Sequence, residues 1–251
     1  ALWNKMSEWV LDGLFATYKE YGIKFDKVYF ESELYQGGKE VVLKALEMGI
    51  CQKEENGAIS IDLTPYGLPK KILIRADGTS LYITQDINTA IRKIQEFNPD
   101  YNIYVVGNEQ DDYFKVLFKT LELFGYELAK HSYHRSYGMV TLPEGKMKSR
   151  EGTVVDADDL LKEVQQNIIN DYFSASTETA QEEKVELKIE EDLNIATTKI
   201  ALSAIKYYIL SFTEEKDIIF DPKKSIALTG KTGPYLQYTY ARISTMLSKA
   251  P

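Results

Sequence analysis

Cysteine and histidine are scarce in this chain. A single cysteine, Cys51, excludes an internal disulfide, and with only two histidines beside it the residues for a structural zinc site are lacking. A reducing, cytoplasmic compartment is the expectation. Long apolar runs are missing too. The most apolar stretch, residues 195–212, is interrupted by Lys199 and Lys206 before the roughly 18 uninterrupted apolar residues of a membrane helix accumulate, so no membrane partner is expected. There is no GxxxxGK[ST] phosphate loop and no Gly-x-Ser-x-Gly nucleophile elbow, and neither repeats nor low-complexity tracts occur. Positive charge is in deficit: 30 basic against 38 acidic side chains leave a net charge of −8. A nucleotide or nucleic acid must therefore be met by a local basic patch, since the global field repels it. What the chain does have is core-forming material, 44% hydrophobic residues with 18 Tyr and 10 Phe, enough for one large or two small domains.

The chain opens on Ala1 directly into a helical stripe of Leu2, Met6, Trp9 and Gly13, without a capping residue before it. A second helix-like run, Pro234 to Lys249, stops at Pro251; a fragment of a longer protein is expected. Between them, Lys27 to Phe30 and Ile59 to Leu63 read as short strands around a helical stretch, Lys39 to Met48, with a turn at Glu54-Glu55-Asn56-Gly57. Ile72 to Ile74 predicts a strand, Asp77-Gly78 a tight turn, and Leu81 to Thr84 extended chain. Ile87, Ala90, Ile91, Ile94 and Phe97 then mark one face of a helix. Ile103 to Val106 predicts a buried strand ending at Gly107, and Phe114, Leu117, Phe118, Leu121 and Phe124 a helix closed by Gly125. Tyr137 to Leu142 reads as another strand. Strands alternating with helices of about a dozen residues predict an α/β fold with parallel strands. Beyond Asp156, a predicted N-cap, Leu160, Leu161, Val164 and Ile168 form one helical face. The acidic stretch 178–192 reads as a solvated connection, and Ala201, Ile205, Tyr208, Ile209 and Phe212 as a long buried helix, so the last third is mostly helical.

Three groups of residues could carry chemistry. Gly107-Asn108-Glu109-Gln110 follows a predicted strand, where open α/β sheets bind ligands; the plainer alternative is a Gly-Asn turn with polar caps. Tyr82 and Asp86 stand four residues apart around a predicted helix start. Such a carboxylate is the natural partner of a guanidinium, unless it merely complements the helix N-terminus. Gly145 to Gly152 places three cations, Lys146, Lys148 and Arg150, within five positions between glycines. That pattern suits a polyanionic leaving group, or else a charged surface hairpin. His131 and His134 have no acidic or cysteine partner at metal spacing and are expected to be structural.

Taken in order, these strings resemble the arginyl-tRNA synthetases, a family of class I aminoacyl-tRNA synthetases. The resemblance runs through Phe25-Asp26, Glu31-Ser32, Asp77-Gly78-Thr79, Tyr82, Asp86-Ile87, Val105-Val106-Gly107, Gln110, Tyr137-Gly138-Met139-Val140, Lys146-Met147, Gly152 and Thr232-Gly233-Pro234-Tyr235-Leu236-Gln237-Tyr238. The Asp-Gly-Thr run and the last string are specific to the arginyl enzymes. The resemblance implies part of a Rossmann-like catalytic domain with parallel strands, followed by a mostly helical segment. Residues 1–155 would be the second part of the nucleotide-binding domain (26–70 an inserted or connective segment), 156–232 helical connecting structure, and 233–251 the start of a helical anticodon-binding domain. By match, Tyr82, Asp86 and Gln110 hold arginine. Gly107 and Glu109, with the backbone at Met139 and Val140, line the adenosine pocket. Lys146, Met147, Lys148, Ser149 and Arg150 form the loop that steadies the triphosphate, Lys146 being the catalytic cation. This loop departs from the family's KMSKS pattern, with Lys148 and Ser149 at its third and fourth positions, which leaves open whether Lys148 or Arg150 supplies the second charge. The HIGH signature is absent from the chain. The implied activity is arginine–tRNA ligation: ATP, with Mg2+, activates L-arginine, which then passes to tRNA(Arg), with no metal ligands of the protein's own. The alternative is a non-catalytic ATP- and amino-acid-binding module of the same fold.

Overall fold

A computed structural model describes residues 2–143, 156–173 and 183–250, with the backbone only for 183–191. They form two units, one of residues 25–137 and one of residues 1–24 with 138–251.

In the first unit, helix α1 (Glu31–Glu47) packs on helix α2 (Tyr82–Phe97). Leu34, Val42 and Ala45 of α1 face Ile83, Ile87, Ala90 and Ile91 of α2, all buried. The helix predicted from Lys39 begins eight residues earlier because Gly37 and Gly38, helix breakers by propensity, are needed for this contact. Asn88 Nδ2 donates to the Leu34 carbonyl at 2.7 Å across it. Lys27 to Phe30 is not a strand. Its side chains are held by α2 instead, Lys27 to Glu96 at 3.1 Å and the Tyr29 hydroxyl donating to the same carboxylate at 2.9 Å. Strands β1 (Gln52–Lys53), β2 (Ile59–Ile61) and β3 (Lys71–Ile74) form an antiparallel meander around the predicted 54–57 turn, where Gly57 adopts φ +89°. The Asp77-Gly78 turn forms as expected, with Gly78 at φ +81°. Extended chain then ends at Leu81, not Thr84: Ile83 and Thr84 are buried at helical spacing from Ile87, and the Thr84 hydroxyl donates to the Leu73 carbonyl at 2.6 Å.

The parallel pair β4 (Asn102–Gly107) and β5 (Ser132–Tyr137) is joined by helix α3 (Asp111–Leu123), a β-α-β unit. Phe114, Leu117 and Leu121 bury the α3 face predicted for them, and Gly125 (φ +87°) ends it. β4 is buried on one face only. Tyr104 and Val106 pack on the core, whereas Ile103 and Val105 are 61% and 67% exposed, so the expectation of a fully buried strand is corrected to an alternating one.

In the second unit, helix α4 (Leu2–Glu20) bears no buried residue and is tied by its C-terminal part, Thr17 Oγ1 donating to Asp158 Oδ2 at 3.1 Å and the Tyr21 hydroxyl to the Ala157 carbonyl at 2.6 Å. The strand predicted over Tyr137 to Leu142 is interrupted at Gly138. Strand β6 (Val140–Thr141) pairs in parallel with β7 (Ile218–Ile219), a different partner from that of β5. Gly138 is what allows this: a Cβ there would lie 2.2 Å from the Lys216 carbonyl carbon and oxygen. Helix α5 (Ala157–Ile168) and helix α6 (Glu183–Leu210) bury Leu161, Val164, Ile168, Ala201, Ala204 and Ile205 against Phe220 and Ile226. α6 reaches back to Glu183, so residues 183–192, predicted as connection, are helix; their Glu, Lys and Leu are good helix formers. Residues 178–182 lie outside the described residues. Phe212 falls beyond the end of α6 and is exposed. A short helix, α7 (Pro222–Ser225), is capped by Asp221. Helix α8 (Gly233–Ser248) is capped by Thr232, whose Oγ1 accepts the Tyr235 N–H at 3.2 Å. Among the described residues no helix is long and apolar enough to cross a membrane.

Candidate amino-acid and nucleotide site

Asp86 lies on the second turn of α2, half-buried, and turns toward α3. Its Oδ2 accepts a hydrogen bond from the hydroxyl of Tyr113, three residues past Gln110. The pair joins α2 to the α3 end that follows the 107–110 loop. Burial raises the Asp86 carboxyl above the usual carboxylate range; the Tyr113 hydrogen bond and the Lys93 charge pull it down, and Glu31 pushes it up. Burial likewise lowers Lys93, offset in part by Asp86. Lys93 Nζ sits 4.7 Å from the centre of the Tyr104 ring, and the Tyr104 hydroxyl accepts from Asn102 Nδ2 at 2.9 Å. Burial pushes the Tyr104 phenol up to about 12, and raises that of Tyr113 further, the Asp86 bond adding to it. The result is a row of two phenols, an ammonium and a carboxylate beneath β4.

Tyr82 is the first residue of α2, one helical turn before Asp86, and 76% exposed. The helix therefore starts at Tyr82 and carries both residues, which moves Asp86 out of the first turn, where a helix-dipole role alone would place it. Gly107 ends β4 in extended backbone (φ −59°, ψ 151°), so no left-handed conformation demands a glycine there. Asn108, Glu109 and Gln110 form one turn of 3₁₀-helix leading into α3, with Glu109 and Gln110 exposed. Asp111, next in line, is held by His134: Nδ1 lies 3.1 Å from its Oδ1, Nε2 lies 3.0 Å from the Val106 carbonyl, and the ring stacks on Phe114 at 4.3 Å. His134 thus braces the loop from β5. Among the described residues no group of three His, Cys, Asp or Glu could hold a metal ion.

In the second unit, the Met139 N–H donates to Asp217 Oδ1 at 2.8 Å, and its carbonyl accepts the Ile218 N–H at 2.8 Å. The Thr141 carbonyl accepts the Phe220 N–H at 2.7 Å. In a parallel ladder of this register the N–H and C=O of the intervening Val140 turn to the edge away from β7. Lys146, Met147, Lys148, Ser149 and Arg150 lie outside the described residues.

Sequence reasoning passed over Tyr113, Lys93 and the His134–Asp111 pair. One signal was available for Tyr113: it heads the apolar α3 stripe three residues after Gln110, a hydroxyl-bearing ring where a plain hydrophobe would serve.

In open α/β sheets ligands bind where a strand runs into the helix that follows it, and in this β-α-β unit that end carries Gly107 to Gln110. The sequence model of the family "tRNA synthetases class I (R), catalytic domain" matches residues 1–222, and the chain belongs to this family. It is 51% identical over 249 residues to an arginine–tRNA ligase of Treponema denticola, covering 99% of this chain and 41% of that protein. It is 48% identical over 256 residues to one of Flavobacterium psychrophilum, covering 100% of this chain and again 41% of the relative. The chain thus spans about two fifths of the length of the curated relatives it matches. In fold it is similar to the arginyl-tRNA synthetase of Plasmodium falciparum (TM-score 0.78, 22% identity, 99% of this chain and 40% of that one). It is also similar to that of Thermus thermophilus (TM-score 0.73, 24% identity, 94% and 44%).

Proposed function

We propose that this chain supplies the arginine site and part of the ATP site of an arginine–tRNA ligase acting in the cytoplasm. The observation that carries this reading is the placement of Asp86: a half-buried carboxylate, one turn from an exposed tyrosine, beside the helix that follows the 107–110 loop. A guanidinium is the cation such a carboxylate serves best, through parallel N–H···O bonds, with the Tyr82 ring and the Gln110 amide completing the pocket.

Arginine held in this way presents its own carboxylate to the α-phosphate of ATP, taken as its Mg2+ complex. A carboxylate oxygen bonds to phosphorus as the bridging oxygen of the pyrophosphate departs, leaving arginyl-adenylate. A hydroxyl of the 3′-terminal adenosine of tRNA(Arg) then attacks the activated carbonyl, loses its proton, and releases AMP. No protein nucleophile is needed, so catalysis lies in positioning and charge. Gly107 lets the nucleotide approach the β4 backbone, Glu109 accepts from the ribose hydroxyls, and the outward edge of Val140, beside Met139, meets the adenine. Lys146 is the cation for the departing pyrophosphate, with Met147, Lys148, Ser149 and Arg150 completing its loop. Residues 1–155 are assigned to the catalytic domain (26–70 inserted), 156–232 to helical connecting structure and 233–251 to the start of the anticodon-binding domain.

The test is Asp86→Asn in the whole protein, with arginine and its uncharged near-isostere citrulline as ligands. Leaving a guanidinium without its carboxylate costs about 3–5 kcal/mol, so kcat/KM for arginine is expected to fall at least about a hundredfold. Wild type should bind arginine and reject citrulline. Unchanged kcat/KM in the variant, or equal binding of the two ligands by wild type, would remove Asp86 from the site.

A further inference from the structure

Asp86 has two carboxylate oxygens, and the structure treats them differently. Oδ2 accepts the Tyr113 hydroxyl, while among the described residues Oδ1 accepts no hydrogen bond. Tyr113 is itself held: its ring lies edge-on to Phe114 at 5.5 Å, and α3 is anchored in the core by Phe114, Leu117 and Leu121. A hydroxyl fixed by a packed ring on one helix therefore sets the rotation of a carboxylate on another. We propose that Tyr113 is a positioning residue of the arginine site: by occupying Oδ2 it fixes the plane of the Asp86 carboxylate and directs Oδ1 to the guanidinium. The proposal rests on the reading of Asp86 as the arginine-binding carboxylate.

This hydrogen bond does a second thing that ordinary packing does not. The groups around Asp86 are Glu31 on α1, Lys93 on α2 itself, Tyr104 on β4 and Tyr113 on α3. Burial and Glu31 favour the protonated acid; Lys93 and the Tyr113 hydroxyl favour the carboxylate. Only the carboxylate pairs with a guanidinium. Removing the Tyr113 donor shifts the balance toward the acid, so arginine binding fails at a higher pH than in wild type, while at alkaline pH Asp86 is ionised in both.

The experiment measures the dissociation constant of arginine against pH, by calorimetry on the whole protein, for wild type, Tyr113→Phe, Tyr29→Phe and Asp86→Asn. Tyr113→Phe is expected to bind arginine about tenfold more weakly at the acid end, the equivalent of one hydrogen bond to a charged group, and to keep a smaller loss at alkaline pH, where only the fixed plane of the carboxylate is missing. Tyr29→Phe, which loses the Glu96 bond and leaves Asp86 its donor, is expected to keep the wild-type profile. A Tyr113→Phe profile identical to wild type, or a loss that the control variant shares at every pH, overturns the proposal while leaving Asp86 in place. Unchanged binding in Asp86→Asn overturns the reading of the site itself. Should Tyr113→Phe not fold, 3-fluorotyrosine at this position, a stronger hydrogen-bond donor, should move the acid limb to lower pH; no movement, or movement to higher pH, counts against the proposal.

Discussion

Gly38 on α1 touches the carbonyl of Thr84 on α2 so closely that a Cβ would come within 2.2 Å of its oxygen and 2.8 Å of its carbon. The neighbour is backbone and cannot swing aside. The helix that carries Tyr82 and Asp86 is therefore seated by a residue with no side chain.

Gly38→Ala is expected to force α2 away from α1, with a loss of stability of about 1–3 kcal/mol, typical of overpacking. Because Asp86 rides on α2, KM for arginine should rise together with the fall in Tm. Substitution of Gly49, on an exposed turn with open space around its α-carbon but φ +76°, should lower Tm without altering KM. An unchanged KM in folded Gly38→Ala would uncouple the contact from the site.

Asp86 should reduce stability for the same reason that it binds a cation. Its carboxyl is raised in the folded state, chiefly by burial, so the folded protein holds the proton more tightly than the unfolded chain does. Stability from this group is then present below the unfolded carboxylate range and is lost as pH rises through the folded value. Asp86→Asn, which keeps an acceptor for the Tyr113 hydroxyl, removes that loss. Thermal melts should show the variant at least as stable as wild type at neutral pH, with the difference shrinking or reversing on acidification. A variant melting below wild type at neutral pH would mean that the Lys93 attraction outweighs desolvation.

Thr232 and Gly233 open α8 by separate means. Thr232→Ala removes the cap on the Tyr235 N–H and should cost about 1 kcal/mol, recovered by Thr232→Ser. Gly233→Ala places a Cβ 2.2 Å from the Ser203 carbonyl oxygen of α6 and should cost more than the lost cap. Denaturant midpoints of the three variants give the order directly; a Gly233→Ala midpoint above that of Thr232→Ala would refute it.

What could be read from sequence alone was governed by local chemistry. The α2 and α3 faces, the Asp77-Gly78 turn and the Gly125 stop each follow from spacing or from a glycine's left-handed φ, and all are present except that Phe97, predicted on the α2 face, ends the helix 55% exposed. The errors fall where a distant partner decides. Lys27 to Phe30 has strand-like residues but is claimed by Glu96, 69 positions after Lys27. Val105 reads as core, yet β4 is covered on one face only. Gly37-Gly38 reads as a helix break, and only the proximity of Thr84 explains a helix running through it. In the candidate site, residue type alone suggests Tyr82 and Asp86 as partners of a planar cation, and Gln110 joins them only through the family resemblance. Tyr113 was not legible, since its role exists only once α2 and α3 are side by side.

One unit is contiguous in sequence, residues 25–137, and the other is split around it. During synthesis the contiguous unit can complete its contacts as soon as it leaves the ribosome. Helix α4 cannot: its Thr17 bond to Asp158 spans 141 positions, a delay on the order of ten seconds at about 5–20 residues per second. Through that interval Thr17 and Tyr21 have no α5 to bond to, so the end of α4 is tied down only after the contiguous unit is complete.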